Sequence, residues 1–240
     1  RVVVSIFVNP KQFGEATDFA DYPSAPEGDT ERATQAGADR VWFATAPQIY
    51  PANFSCTVQA GGPAIGFEGD GRPGHFDGVA TVLMRLFGLV RPDAAAFGAK
   101  DYQQLLLAKC LVRDFALPIR IVGCAVVRDS DGLALSSRNA RLQPAQRRSA
   151  LAVPQALQRT CAAFAAGERD VDRLSAIGHN HLTAAGHRVS YFSLVDRGSA
   201  RPLSGVLSAN GEEARLITAA EVHGVRLLDT CDLDDPPCQA

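Results

Sequence analysis

The sequence predicts an α/β protein: a first domain built on a mostly parallel sheet, followed by a smaller α+β domain. Short apolar runs alternate with helix-period segments through the first half, which is the pattern of strand–helix–strand units. After about Arg138 the alternation gives way to an Ala-rich helical stretch and then three strand-like runs. Composition agrees with a chain able to bury a core: 46% of the 240 residues are apolar and 21% charged. That balance excludes wholesale disorder.

The elements follow in order. Arg1 to Val8 (RVVVSIFV) is a nearly continuous apolar run ended by Asn9-Pro10, and it suits a central parallel strand covered on both faces. Glu31 to Ala38 reads as the end of a modest helix stopped near Gly37, and Arg40 to Ala44 as a second strand. Val79, Val82, Leu83, Leu86, Phe87 and Val90 recur at three- and four-residue spacing, which predicts an amphipathic helix over 76–90 closed by Pro92. A strand over 94–97, a helix over 102–115 and a strand over 119–127 complete the first pattern. Helices over 144–167, with Pro154 as a kink, and 171–185 come next. Strands over 189–195, 215–220 and 225–229 then end the fold, the last two joined as a hairpin through His223-Gly224. Asp234 to Pro237 begins a tail expected to fray.

Charge and cysteine usage narrow the class. Lys and Arg number 24 and Asp and Glu 26, a net charge of −2, which argues against nucleic acid or an anionic membrane as partner. No apolar run approaches the ~18 residues of a spanning helix. Cys56, Cys110, Cys124, Cys161, Cys231 and Cys238 form no C-x-x-C pair and read as small buried apolar residues in a reducing cytoplasm. The only methionine is Met84, and the chain opens inside a strand-like run, which reads as a fragment or a processed chain.

Ligands of parallel sheets bind at the carboxyl ends of strands, so the loops there carry the candidate chemistry. Asn9 to Gly14 places Gln12 beside an aromatic and a glycine, although an ordinary strand-ending turn also fits. Gly98-Ala99-Lys100-Asp101 opens a helix at a strand end: Gly98 permits close backbone approach, Lys100 suits a phosphate, and Asp101 either caps the helix or bonds a ribose hydroxyl. Gln104 falls one turn along, and a capped helix with surface charges remains the bland reading. In Leu135-Ser136-Ser137-Arg138, two hydroxyls beside an arginine can wrap phosphate oxygens, or can be a polar linker with a cap. Arg72 and His75 precede the strongest helix and either face a cleft or cap it. His179, His181 and His187 lack the ligand spacing of a metal site, and neither a Walker P-loop nor a G-x-G-x-x-G fingerprint occurs.

In this order the segments resemble the pantoate–β-alanine ligase (pantothenate synthetase) family. The resemblance runs through Ser5-Ile6-Phe7-Val8-Asn9-Pro10, Gln12-Phe13-Gly14 and Tyr22-Pro23 to Arg72-Pro73-Gly74-His75-Phe76. It continues with Gly78 to Val82, Phe97-Gly98 with Lys100 to Gln104, Asp131 to Ala134 with Ser136 to Asn139, and Arg226 to Asp229. It implies a Rossmann-like nucleotidyltransferase domain over 1–127, N-terminally incomplete, and a small C-terminal lid domain over 128–240. It also implies a cytoplasmic homodimer that supplies the coenzyme A pathway. The implied reaction joins pantoate to β-alanine with ATP and Mg²⁺ through a pantoyl adenylate, releasing AMP and pyrophosphate.

By resemblance Gln12 and Gln104 hold pantoate, with Gln12 also near β-alanine. Gly98, Ala99, Lys100 and Asp101 bind ATP, with Val127 at adenine and Leu135, Ser136, Ser137 and Arg138 around the triphosphate. Lys100 and Arg138 carry the catalytic charge, Arg72 and His75 border the site, and Asp29 falls at the magnesium position. The chain departs from the pattern at Ser24, Gly28 and Ala99, and the family's H-x-G-H signature is absent from these 240 residues. Loss of that strand–helix unit by truncation is the expectation, with little turnover as its consequence. Two other readings stay open: a non-catalytic nucleotide-binding or dimerisation module, and an adenylyltransferase for another carboxylate.

Overall fold

The computed structural model describes residues 1–12 and 25–237 and divides into two compact units, residues 1–61 with 68–93 and residues 62–67 with 94–240. Phe13, Gly14, Tyr22, Pro23, Ser24 and Cys238, singled out above, lie outside the described residues. The expected division at 127/128 falls inside the second unit.

In the first unit β1 (Val3–Ile6) pairs in parallel with β2 (Arg40–Phe43), in the register Val3 to Arg40 and Ile6 to Phe43. The helix α1 (Pro26–Gln35) joins them, with Pro26 at its first turn, where a missing N–H costs nothing. Among the described residues β1 has β2 as its only strand neighbour, and Val2 and Val3 are 54% and 41% exposed. The expectation of a strand covered on both faces is therefore corrected. In this two-stranded sheet Val3 and Ser5 are exposed while Val4 and Ile6 are half-buried.

Two short helices, α2 (Ala46–Ile49) and α3 (Glu68–Gly71), precede α4 (His75–Val90). Phe76, Val79, Val82, Leu83 and Phe87 are buried along one stripe of α4. Each contributes about 1.5–3 kcal/mol by leaving water, against a few tenths for helix propensity, so packing rather than propensity holds this helix. It stops at Arg91, whose left-handed backbone (φ 49°) precedes Pro92.

In the second unit β3 (Ala94–Gly98) pairs in parallel with β4 (Arg120–Cys124), and α5 (Tyr102–Asp114) connects them. The strand expected to reach Val127 ends at Cys124, freeing the following residues for a hairpin. The remainder stacks α6 (Pro144–Ala150), α7 (Ala152–Ala165) and α8 (Val171–Ala184) with an antiparallel sheet of β5 (Arg188–Asp196), β6 (Ala214–Val222) and β7 (Val225–Asp232). The strand order is β5-β6-β7, with β6 in the middle.

The helical break falls at Leu151, upstream of Pro154. Pro154 has no N–H to give the carbonyl of Ala150, and its ring crowds that carbonyl, so the break precedes the proline. Asp170 caps α8 by accepting from the Arg173 N–H at 2.9 Å. The β6–β7 turn places His223 (φ 50°) and Gly224 (φ 81°) both in the left-handed region, the signature of a type I′ hairpin. Leu157, Leu174, Leu182, Leu194 and Leu216 are fully buried in this unit's main core.

The cysteines divide. Cys161 and Cys231 are buried, Cys110 is half-buried, and Cys56 and Cys124 are exposed, correcting the expectation that all are core residues. An apolar neighbour at a strand end, as at Cys124, does not ensure burial when few strands flank it. No described helix is long and apolar enough to cross a membrane.

Candidate active site

In the first unit the chain leaving β1 tightens into a 3-10 turn over Pro10–Gln12, and this turn seats Gln12. Asn9 is almost completely buried and organises it. Its side-chain amide donates to the Gln12 side-chain oxygen at 3.2 Å and to the Gly78 carbonyl at 3.1 Å, while its oxygen accepts from the Tyr50 hydroxyl at 2.8 Å. The Gln12 side chain is thus held through its oxygen, and its NH₂ is the end left to donate elsewhere. Burial pushes the Tyr50 hydroxyl up to about 12, with the Asn9 bond and the Arg85 charge opposing, so it remains a donor at neutral pH.

The turn lies hard against α4. A Cβ at Gly78 would sit 2.2 Å from the Lys11 carbonyl oxygen, so only glycine lets helix and turn approach this closely. Arg72 and His75 meet on the same turn: the Gln12 carbonyl accepts from the Arg72 guanidinium at 3.3 Å and lies 2.9 Å from His75 Nδ1. Their side chains also approach each other at 3.4 Å. Gln12 and the Arg72–His75 pair, which sequence alone proposed separately, are thus one cluster. Asn9 was missed: it read as a strand terminator, and only its burial marks it as the residue that orients Gln12.

Asp29 lies on α1 with its carboxylate 2.6 Å from the Arg32 guanidinium, and no group of three His, Cys, Asp or Glu side chains converges among the described residues. Those residues do not fit a protein-built magnesium cage.

In the second unit Gly98 ends β3 and Asp101 occupies the N-cap position of α5. The Ala99 N–H donates to the Cys124 carbonyl at 2.7 Å, drawing the carboxyl ends of β3 and β4 together. No side-chain cap bond is made by Asp101; its carboxylate is exposed and lies 3.4 Å from the Lys100 ammonium. Of the two roles the sequence left open for Asp101, helix capping by its side chain is therefore not the one adopted. Gln104 is half-buried one turn along.

Its neighbours lock the start of α5. The Tyr102 hydroxyl donates to the Arg197 carbonyl at 2.6 Å, and the Arg215 guanidinium stacks 4.5 Å from the Tyr102 ring. Burial raises the Tyr102 hydroxyl above its usual value, opposed by the Arg215 charge. Buried Gln103 donates to the carbonyls of Pro63 at 2.8 Å and Gly66 at 3.2 Å, so residues 62–67 are fastened to α5.

Beyond β4 the chain forms a hairpin in which the Leu135 N–H donates to the Val127 carbonyl at 2.9 Å. Val127 and Leu135 are 64% and 47% exposed, an apolar pair at the hairpin's neck. Ser136 then starts a 3-10 turn over Ser137–Arg141, its hydroxyl accepting from the Arg138 N–H at 3.2 Å. The candidate residues of this unit thus fall into two groups, Gly98 to Asp101 with Gln104 on β3–α5, and Val127 with Leu135 to Arg138 on the hairpin.

Parallel strand–helix units followed by an antiparallel three-stranded sheet define the class, an α/β protein of nucleotidyltransferase-like fold. The comparisons take this further. Residues 1–232 match the family model described as Pantoate-beta-alanine ligase. Pantothenate synthetase from Pseudomonas savastanoi pv. phaseolicola is 42% identical over 234 residues, which cover 97% of this chain and 81% of that protein. The Myxococcus xanthus enzyme is 43% identical over 233 residues, 97% of this chain and 79% of that protein. Among solved structures, pantothenate synthetase from Thermus thermophilus superposes with a TM-score of 0.89 at 41% identity, covering 97% of this chain and 83% of that one. The Francisella tularensis pantoate-beta-alanine ligase, complexed with beta-gamma ATP and beta-alanine, gives 0.76 at 28% identity, covering 99% of this chain and 82% of that one. The chain belongs to the pantoate–β-alanine ligase family.

Proposed function

We propose that this chain performs its family's reaction, the ATP-dependent joining of pantoate to β-alanine through a pantoyl adenylate, with release of AMP and pyrophosphate. The observation that carries the reading is the occurrence, within one unit, of the Gly98–Asp101 strand end and the Val127–Leu135 hairpin with its serine–arginine turn, the Ala99 N–H holding the end of β4 from which that hairpin leaves.

The chemistry asks for what these residues offer. Attack of a carboxylate on the α-phosphorus brings two anions together and then expels pyrophosphate, so cations and donors must be fixed around the phosphates. Lys100, Ser136, Ser137 and Arg138 supply them, and Lys100 and Arg138 stabilise the charge that develops. Val127 and Leu135 offer apolar surface and backbone groups to adenine, Gly98 and Ala99 admit the nucleotide closely, and Asp101 receives ribose hydroxyls. Gln12 and Gln104 hold pantoate in line for attack. Gln12, oriented by Asn9, also lies toward β-alanine, with Arg72 and His75 bordering it. The functional division we propose falls at 127/128, core before it and lid after it.

Magnesium is proposed as the triphosphate's own counter-ion, held mainly by phosphate oxygens, because Asp29 is engaged by Arg32. The family's H-x-G-H signature, absent from these 240 residues, is proposed to complete the phosphate site on an additional strand–helix unit. A cytoplasmic homodimer is part of the same reading, and sedimentation velocity tests the dimer.

The deciding experiment is pantoate-dependent exchange of labelled pyrophosphate into ATP, on this chain and on a version extended upstream to include an H-x-G-H segment. Strong exchange in the extended form with little in the 240-residue chain is expected. Absence of exchange from both, with ATP still bound, would replace the ligase by a nucleotide-binding module.

A further inference from the structure

The hairpin that carries Val127 and Leu135 is held at both ends by arginines that the chemistry above does not use. Between them Arg128 and Ala134 pair as an isolated antiparallel bridge, and Leu133 and Ala134 are buried. The Arg128 guanidinium donates to both carboxylate oxygens of Asp229, at 2.7 and 2.9 Å, and to the Gly132 carbonyl at 3.1 Å. Asp229 stands on β7 opposite Thr218 of the central strand, its side chain 1% exposed and that of Arg128 13%. One Asp229 oxygen also accepts the Thr230 N–H at 2.7 Å.

The hairpin tip has a second brace. Arg147 on α6 donates to both oxygens of Asp131, at 2.7 and 3.0 Å, and to Asp129 at 2.6 Å. The far side of the serine–arginine turn is fixed in turn by the buried Asn139, whose amide donates to the Ala134 carbonyl at 2.9 Å.

We propose that Asp229, acting through Arg128 and assisted by Arg147, is a positioning residue for nucleotide binding, setting the hairpin that presents Val127 and Leu135–Arg138. The inference rests on the proposed function, since it takes that hairpin for the nucleotide clamp.

Stability alone does not account for this arrangement. A buried ion pair is often no better for stability than apolar residues of the same size, because desolvation offsets the attraction. The Arg147 pairs are about one-third exposed and contribute little to stability. What a bidentate guanidinium–carboxylate fork supplies is direction: it fixes two parallel bonds and hence the angle at which the hairpin leaves the sheet. Two such anchors on β7 and α6 leave the clamp residues in one geometry before the nucleotide arrives, removing an ordering cost from binding.

The test measures ATP affinity by calorimetry and the thermal midpoint together, on the wild-type chain, D229N, R147Q and the double variant R128M/D229L. D229N strands a buried guanidinium and lowers both quantities. R128M/D229L restores the midpoint by apolar packing while ATP binding stays about tenfold or more weaker, the scale set by small displacements of positioned groups. R147Q keeps the midpoint near wild type and weakens ATP less. ATP affinity that recovers with the midpoint in R128M/D229L, or is unchanged in R147Q, overturns the inference while leaving the ligase reading standing. Failure to bind ATP by a form extended upstream to include the H-x-G-H segment overturns both.

Discussion

Gly78 and Lys11 share a contact that leaves no room for a side chain: the nearest backbone oxygen is 2.2 Å from where a Cβ would be. Gly78→Ala therefore forces helix α4 and the Pro10–Gln12 turn apart. It should cost about 1–3 kcal/mol by urea unfolding, as overpacked sites do. The same variant is expected to raise the KM for pantoate in a form of the protein that turns over, because the displaced turn carries Gln12.

Lys100 is the second test of the proposed site. Lys100→Ala removes the cation proposed to face the developing phosphate charge, and in the upstream-extended form the pantoate-dependent exchange rate is expected to fall roughly 100-fold, as for other preorganised charge-stabilising groups. The thermal midpoint should stay near wild type, since its pair with Asp101 is long and the Asp101 carboxylate is largely exposed. An exchange rate within a few-fold of wild type would remove Lys100 from the phosphate site.

The pH dependence of stability should register His181. Burial, with Arg159 and His187 nearby, holds its pKa below the ordinary histidine value. The unfolded chain then binds the proton more readily than the folded one, so stability is full above about pH 6.5 and declines as the pH falls from there toward the folded value. Urea midpoints at pH 7.5 and 5.5 should show that decline, and His181→Gln should reduce it. A midpoint difference identical in the variant would assign the dependence elsewhere.

Thiol chemistry should separate the cysteines. The sulfurs of Cys161 and Cys231 lie 3.6 Å apart in the core, and that contact together with burial pushes the Cys231 thiol well above its ordinary value. Little thiolate forms, so a brief pulse of iodoacetamide on the native chain should alkylate Cys56 and Cys124 and spare Cys161 and Cys231, as peptide mass mapping would report. Early labelling of Cys231 would mean that this core opens readily.

Residue patterns alone revealed some of this molecule and concealed some of it, for physical reasons. Helix α4 was readable because its apolar residues recur on one face, and the β6–β7 hairpin because His223-Gly224 suits a turn with two left-handed residues. The extent of β4 was not. Val126 and Val127 are as apolar as a strand, yet they leave it to form a hairpin whose neck bond, from Leu135 to Val127, is non-local. The Gln12–Arg72–His75 cluster could be named but not assembled, because about 60 positions separate Gln12 from the other two. Nothing local signals the positioning roles of Asn9 and Asp229; these lie in partners supplied by tertiary packing.

The fastening of residues 62–67 by Gln103 bears on any attempt to dissect the protein. The chain enters the second unit for six residues, returns, and comes back at Ala94, so a recombinant piece beginning at Ala94 omits Pro63 and Gly66. The buried Gln103 amide would then lose both carbonyl acceptors, a penalty of about 1–3 kcal/mol for a stranded donor. A free peptide spanning 62–67, added in trans, is the complementing fragment that such a half-molecule would need.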